Sequence, residues 1–133
     1  NPNTRNMALQ VGRMEKKIAA GAAYFLTQPV YSKTRVDEIL SATSHIAAPI
    51  VLGVMPLASS RNAEFLHNEF PGIEIPLEAR ERMNRAGDQG QQEGIEIAWE
   101  LLEHAWPHFA GVYIIPPFNR HAMALELMHR LDR

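Results

Sequence analysis

The chain has 133 residues, of which 46% are hydrophobic and 21% charged, and its formal net charge is -2. This length allows one domain with a buried core. The small net charge leaves no basic field that would favour nucleic acid or an anionic membrane surface. No apolar run approaches the roughly 20 residues that span a bilayer. The sequence therefore predicts neither a nucleic-acid partner nor a membrane partner.

The residues that are absent carry information too. The sequence contains no cysteine, which excludes disulfides and thiolate metal sites from this chain and favours a cytoplasmic location. The first ten residues, NPNTRNMALQ, lack the apolar segment of a signal peptide. Because the first residue is Asn rather than Met, we expect the chain to be a piece of a longer protein.

The first third of the chain is predicted to form a helix, a strand and a second helix. Asn6 can cap the first helix and Gly21 can end it, since apolar residues recur between them at helical spacing. The strand AAYFLTQ (22–28) follows, and we expect its apolar side chains to be buried. The second helix begins at Ser32 or Thr34.

The middle of the chain contains a second strand and two helices. PIVLGVMP (49–56) is a continuous apolar run, typical of a strand buried on both faces. A helix capped by Ser59 or Ser60 follows, and a short helix begins at Pro76. The glycine-rich GDQGQQEG (87–94) is interpreted as a loop between helices, because it lacks the Lys-Ser/Thr ending and the preceding strand of a phosphate loop.

The last third of the chain repeats the alternation. A helix from about Gln92 to Ala105 leads into a third strand, AGVYIIPP (110–117), and Asn119 is expected to cap the last helix. The inner face of that helix is predicted to consist of Ala122, Leu125, Met128 and Leu131. Alternation of helices and strands indicates parallel strands with helical crossovers, in one domain over residues 1–133.

All three predicted strands end in proline, as LTQP, GVMP and IIPP, and polar residues follow each of them. In β/α folds the ligand site lies at the carboxyl ends of the strands, so Gln28, Asn62 and Arg120 are expected to meet on one rim. Capping explains Asn119 and the serines better than ligand binding does. Capping does not explain Gln28, because glutamine is a poor cap and this one precedes a proline.

Three parallel strands cannot close a barrel, which needs about eight. The apolar runs nevertheless require neighbours on both edges. The predicted fold class is therefore α/β, namely the C-terminal part of a (β/α)8 TIM barrel with about three strands and their helices. Because unpaired strand edges are templates for association, we expect the isolated fragment to associate with itself.

Four segments carry a family resemblance in the same order along nearly the whole chain: KKIAAGAAYFLTQPVY, PIVLGVMPL, GIEIAWELLEH and GVYIIPPFNR. Together they resemble the C-terminal portion of methylenetetrahydrofolate reductase. TQPVY and IIPPFNR are most similar to the bacterial form that is fused to a homocysteine S-methyltransferase module.

The resemblance implies a flavin-carrying (β/α)8 barrel. In this family FAD is reduced by NAD(P)H, and the flavin then delivers hydride to the methylene carbon of 5,10-methylenetetrahydrofolate. In the fused form the 5-methyltetrahydrofolate methylates homocysteine to methionine. The implied partners are the folate substrate, the remaining half of the barrel and the homocysteine methyltransferase module.

The resemblance assigns four substrate-binding residues. Gln28 aligns with a folate-contacting glutamine, whose amide offers both a donor and an acceptor to a pterin ring. Asn62 and Leu66, four apart on one helix face, match positions that hold folate or the nicotinamide cofactor. Core packing is an equal alternative for Leu66. Arg120 would meet a folate carboxylate or a cofactor phosphate, and the alternative is a surface arginine.

The resemblance also bears on the cofactor and on catalysis. Lys17 matches a lysine that contacts FAD, and Gln10 falls where other members carry an aspartate directed at the ribityl chain. The general acid of the family is a glutamate on an early strand, and none of Glu64, Glu69 or Glu74 matches it. We therefore expect no catalytic residue in this chain and no activity from the fragment alone.

Two other functions stay open. The chain could be a non-catalytic half-barrel that serves as an interaction module, or part of another β/α-barrel enzyme. A metal site is not expected, because Pro107 separates His104 from His108.

Overall fold

The computed structural model describes residue 1 and residues 3–132, and in this part of the chain helices alternate with strands. The α-helices are α1 (Met7–Ala19), α2 (Lys33–Ala42), α3 (Ser60–Glu69), α4 (Leu77–Ala86), α5 (Gly90–Ala105) and α6 (His121–Leu131). The strands are β1 (Phe25–Pro29), β2 (Ile50–Val54) and β3 (Gly111–Ile114). Short 3-10 turns cover Gly87–Gln89, Trp106–His108 and Pro117–Asn119.

The strands form one parallel sheet in the order β1-β2-β3. Leu26 of β1 pairs with Val51 of β2, which pairs with Gly111 of β3. The predictions of an α/β chain and of parallel strands joined by helices are confirmed. The carboxyl ends of all three strands therefore lie at the same edge of the sheet.

The helices pack against one face of the sheet. Leu52 and Val54 of β2 point into this helical layer and are 0% and 1% exposed. Side chains alternate between the two faces of a strand, so Val51 and Leu26 lie on the opposite face. There Leu26 is 59% exposed, and Tyr24 just before β1 is 61% exposed. The expectation that the first strand is buried is wrong for these two residues, because β1 is an edge strand and the helices leave this face open.

A second apolar cluster joins α3 and α4 to the segment that follows β2, with Leu57, Ala63 and Met83 fully buried in it. The backbone of Gly94 lies directly against Leu57, and a Cβ on Gly90 would be 2.9 Å from the carbonyl oxygen of Ala58. Both glycines belong to α5, so the interpretation of residues 87–94 as a loop is wrong from Gly90 onward. Glycine occurs here because the helix packs closely on a neighbouring backbone.

Three helices begin with the predicted side-chain caps. Asn6, Ser32 and Ser59 each accept a hydrogen bond from the backbone amide three residues further along. The predicted cap at Asn119 is wrong, because Asn119 belongs to a 3-10 turn and has a φ of 58°. Arg120 occupies the N-cap position of α6 and provides no side-chain cap.

The buried face of α6 also differs from the predicted one. Met123 and Leu127 are 1% and 0% exposed, whereas Leu125 and Met128 are both 51% exposed. Ala122 is exposed as well, and only the last member of the predicted face is half-buried. The helix carries two apolar stripes, and packing against α5 and the sheet selects the stripe that starts at Met123.

Ion pairs connect α5 to its neighbours on the outer surface. Arg82 of α4 binds Glu100 through two hydrogen bonds of 2.8 and 3.0 Å. Arg130 of α6 binds Glu96 through bonds of 3.1 and 2.6 Å. These hydrogen bonds hold the pKa of each glutamate below its usual value. Among residues 1 and 3–132, no helix combines the length and apolar character needed to cross a membrane.

Candidate functional site

Gln28 lies at the carboxyl end of β1, where the strand meets the loop between α3 and α4. Its side chain is half-buried, and its Oε1 is buried without a hydrogen-bond partner among the described residues. A Cβ placed on Gly72 of that loop would lie 2.5 Å from this oxygen. Gly72 has a φ of 82°, a conformation that favours glycine. The fold thus buries an acceptor without pairing it, at the predicted ligand-binding edge.

Asn62 lies in the first turn of α3, directly after β2. Its Oδ1 accepts a hydrogen bond from the amide of Ala58 at 3.1 Å, and the residue is 9% exposed. The acceptor of this amide is therefore used to hold the loop that follows β2. Leu66, one turn further along, is 5% exposed and packs in the second apolar cluster. Core packing accounts for its burial, and a role in binding stays a prediction.

Arg120 follows β3 and lies beside an exposed aromatic ring. Its guanidinium carbon is 5.3 Å from the ring centroid of Phe118, within the range of a cation–π contact. Phe118 is 69% exposed and has a φ of 50°, and Asn119 also lies in the left-handed region. Two such residues in succession cost about 1–3 kcal/mol each, and this kind of strain is concentrated at ligand-binding segments.

Gln10 and Lys17 line the same cleft between α1, α2 and the free edge of β1. The cleft has a volume of about 210 Å³. Arg13 lines it too, one turn before Lys17 on the same helix. The floor of the cleft is apolar and includes Phe25 and Ile39. Two cations therefore border a cleft with an apolar floor and several polar residues in its lining.

The structure brings some of the predicted site residues together and leaves others apart. Gln10 and Lys17 share a cleft, while Gln28, Asn62 and Arg120 follow three neighbouring strands at one edge of the sheet. Within the described chain, no hydrogen bond joins these last three side chains. Each contacts its own surroundings instead. Whether they share one ligand stays a prediction.

Sequence reasoning missed three residues near these sites. Arg13 could have been found from its spacing of four from Lys17 on an amphipathic helix. Phe118 follows two prolines, and nothing in the sequence indicates its left-handed backbone. Tyr113 of β3 donates a hydrogen bond to the carbonyl oxygen of Thr27 across the sheet, a contact that depends on tertiary structure.

Two of the glutamates considered as acids are engaged in ion pairs. Glu64 lies 3.6 Å from Arg80, and Glu74 lies 3.6 Å from Arg35. Both carboxylates belong to exposed ion pairs.

Two of the six histidines each pair with one carboxylate. His104 Nε2 is 2.6 Å from Asp37, and His45 Nε2 is 2.8 Å from Glu15. Over residues 1 and 3–132, no group of three or more His, Asp or Glu side chains is close enough to bind a metal ion.

The fold and these positions define a class, an α/β protein with a parallel sheet and polar groups following the carboxyl end of each strand. Comparison with protein families identifies the family within this class. The sequence model of the family described as methylenetetrahydrofolate reductase matches residues 1–132, and the chain belongs to this family. A search of curated proteins found no match. Membership supports oxidoreductase activity of the methylenetetrahydrofolate reductase type, in one-carbon metabolism.

Proposed function

We propose that the chain is the C-terminal part of the barrel of a flavin-dependent reductase. This enzyme converts 5,10-methylenetetrahydrofolate to 5-methyltetrahydrofolate with NAD(P)H in the cytoplasm. The product supplies the methyl group for homocysteine methylation, in a parent chain that also carries a homocysteine methyltransferase module. The observation that carries the proposal is the family match over residues 1–132.

The open face of the sheet supports the assignment to part of a larger barrel. Tyr24 and Leu26 expose 61% and 59% of their surfaces on the face that the helices leave open. In a closed (β/α)8 barrel this face is the interior, which side chains from all eight strands fill. The remaining strands would pair with the free edges of β1 and β3 and cover these side chains.

Folate binding is proposed at the carboxyl ends of the strands. The carboxamide of Gln28 is half-buried and its acceptor is unpaired, and its exposed part is proposed to meet the polar groups of a reduced pterin. Arg120 can pair with a carboxylate, and the exposed ring of Phe118 offers an apolar face beside it. Asn62 holds the loop after β2 in place through Ala58.

Flavin binding is proposed at the face of α1 that borders the cleft beside β1, because the cleft itself would be filled by the strand that pairs with β1 in the complete barrel. Lys17 and Arg13 lie one turn apart on α1 and fit a diphosphate, and Gln10 can hydrogen-bond a polyhydroxyl chain. FAD, when bound, would accept hydride from NAD(P)H and pass it to the folate. The role of this chain is to hold and orient both molecules. The proton that opens the methylene bridge would come from a residue outside the chain.

Replacement of Gln28 tests the proposal in the full-length enzyme that carries this chain. We expect Gln28→Ala to slow reoxidation of the reduced flavin by methylenetetrahydrofolate by roughly 10- to 100-fold, because the folate loses hydrogen bonds to the carboxamide. Reduction of the flavin by NAD(P)H should change far less. Stopped-flow absorbance of the flavin measures the two half-reactions separately.

The matched control is Gln91→Ala, which removes an exposed glutamine on α5. It should leave both half-reactions unchanged. If Gln28→Ala slows neither half-reaction, the assignment of Gln28 to the folate site is wrong. If no flavin or folate binds the parent protein at all, the exposed sheet face favours the second function, a non-catalytic half-barrel completed by another chain.

A further inference from the structure

β1 and β2 are out of register just where Gln28 occurs. Leu26 pairs with Val51, and Pro29 pairs with Gly53. The chain thus takes three steps along β1 for two steps along β2, which is a β-bulge. Without the bulge Gln28 itself would oppose Gly53. Bulges redirect a side chain, and they are over-represented beside active sites.

Hydrogen bonds from β2 and from β3 to Thr27 hold this bulge. The Thr27 hydroxyl accepts a bond from the Gly53 amide at 2.9 Å and donates one to the Gln28 carbonyl at 2.9 Å. The Tyr113 hydroxyl donates to the Thr27 carbonyl oxygen. The carbonyl oxygens of Thr27 and Gln28 therefore each accept a hydrogen bond from a hydroxyl group.

Tyr113 can reach β1 only because the strand between them has no side chain at the crossing point. A Cβ on Gly53 would lie 2.6 Å from the Tyr113 hydroxyl and 2.7 Å from the Thr27 carbonyl oxygen. Tyr113 thus spans the whole width of the described sheet, from β3 to β1. A tyrosine hydroxyl is protonated at neutral pH, and burial raises the pKa of Tyr113 further, so this group is a proton donor.

We propose that Tyr113 is a positioning residue for the folate half-reaction. Its hydrogen bond to Thr27 over Gly53 holds the bulge that directs the Gln28 carboxamide to the rim beside Gly72. This inference rests on the proposed function, because it assumes that Gln28 contacts the folate. It adds a residue on β3 that sets the direction of a residue on β1.

Tyr113→Phe in the full-length enzyme tests the proposal, since it removes the hydroxyl and keeps the ring. We expect about a three- to tenfold slower reoxidation of the flavin by methylenetetrahydrofolate, the range for one hydrogen bond, and weaker binding of 5-methyltetrahydrofolate in calorimetry. Reduction by NAD(P)H should be unchanged. Gln91→Ala, at an exposed position on the outer helix α5, is the control and should alter neither half-reaction.

The double variant Tyr113→Phe/Gln28→Ala separates positioning from a general structural effect. Residues that act as a unit are not additive, so the double variant should be no slower with folate than Gln28→Ala alone. Fully additive losses, or equal losses in both half-reactions, would contradict the inference while leaving the role of Gln28 intact. A Gln28→Ala enzyme with normal folate kinetics would instead overturn the proposed function.

Thr27 provides a second test that does not depend on Tyr113. Thr27→Ser keeps the hydroxyl that bridges Gly53 and Gln28, and it should retain folate kinetics. Thr27→Val has nearly the same shape without the hydroxyl, and it should show the same selective loss as Tyr113→Phe. If Thr27→Ser and Thr27→Val behave alike, the bulge does not control Gln28.

Discussion

At the scale of single residues, two buried side-chain oxygens have no hydrogen-bond partner in the described part of the chain, Gln28 Oε1 and Tyr31 Oη. Their surroundings differ. Gln28 lies at a strand end beside a glycine-containing loop, whereas Tyr31 is 9% exposed in an apolar cluster with Leu57 and Leu66. We therefore propose that the Gln28 carboxamide takes part in ligand binding, and we interpret the Tyr31 hydroxyl as a phenol enclosed by core packing.

The unpaired hydroxyl makes Tyr31→Phe a test of stability. Because the hydroxyl is buried without a partner, its removal should leave the free energy of unfolding at pH 7 unchanged or raise it by about 1 kcal/mol. Burial also raises the pKa of Tyr31 above its usual value. In the unfolded chain Tyr31 ionises near pH 10, whereas in the folded chain it stays protonated at that pH. The free energy of unfolding therefore falls as the pH rises above about 10.

Urea unfolding at pH 8 and pH 10.5 measures this effect. The wild type should lose more stability between the two values than Tyr31→Phe does. Tyr24→Phe, which alters an exposed tyrosine, should behave like the wild type. Equal alkaline losses in Tyr31→Phe and the wild type would show that this phenol does not ionise with unfolding.

At the scale of elements, α5 depends on close contact with the segment after β2. Gly94 lies against the backbone of Leu57, and no side chain can be accommodated between them without movement of the helix. Gly12 of α1 is also in the middle of a helix, but a Cβ there would meet nothing within 4 Å. The two glycines thus have the same helical conformation and opposite surroundings.

This contrast predicts opposite effects of the same substitution. Gly94→Ala should lower the free energy of unfolding by about 2–3 kcal/mol, since the new methyl group overpacks against backbone. Gly12→Ala should raise it by about 0.5–1 kcal/mol through helix propensity alone. Chemical denaturation of both variants measures the difference. A neutral Gly94→Ala would mean that α5 does not pack on Leu57 this closely.

Local sequence patterns are sufficient to predict some features of the helices and insufficient for others. Caps at Asn6 and Ser59 depend on residues within one turn, so the sequence predicts them. The buried face of α6 depends on which of two apolar stripes meets α5 and the sheet. Contacts with residues far along the chain bury Met123 and Leu127 and leave Leu125 and Met128 exposed. The spacing of apolar residues within one helix does not distinguish these two stripes.

At the scale of the whole molecule, the sheet has a free edge at β1 and an open face next to it. Leu26 is 59% exposed on this face. Unpaired edges and exposed apolar residues favour association. We therefore expect the isolated 133-residue chain to associate with itself in a concentration-dependent manner, which light scattering coupled to size-exclusion chromatography measures.

Leu26→Lys should reduce this association, because a charge on an edge strand opposes pairing with another strand. The control is Leu77→Lys, which places the same charge at a leucine that is 60% exposed on α4. It should leave the association unchanged. A chain that is monomeric at every concentration, or equal effects of the two variants, would count against association through β1.

The sequence by itself determined the alternation of helices and parallel strands, most helix caps, the family and the positions of the polar residues after each strand. These features depend on neighbours in the chain or on ordered motifs. Only the tertiary structure decided that Tyr24 and Leu26 are exposed, that Gly90 and Gly94 belong to a helix, and that Tyr113 donates a hydrogen bond to Thr27 within the bulge that contains Gln28. The reason is that edge exposure, backbone contact and register depend on residues far apart in the chain, which one local pattern does not encode.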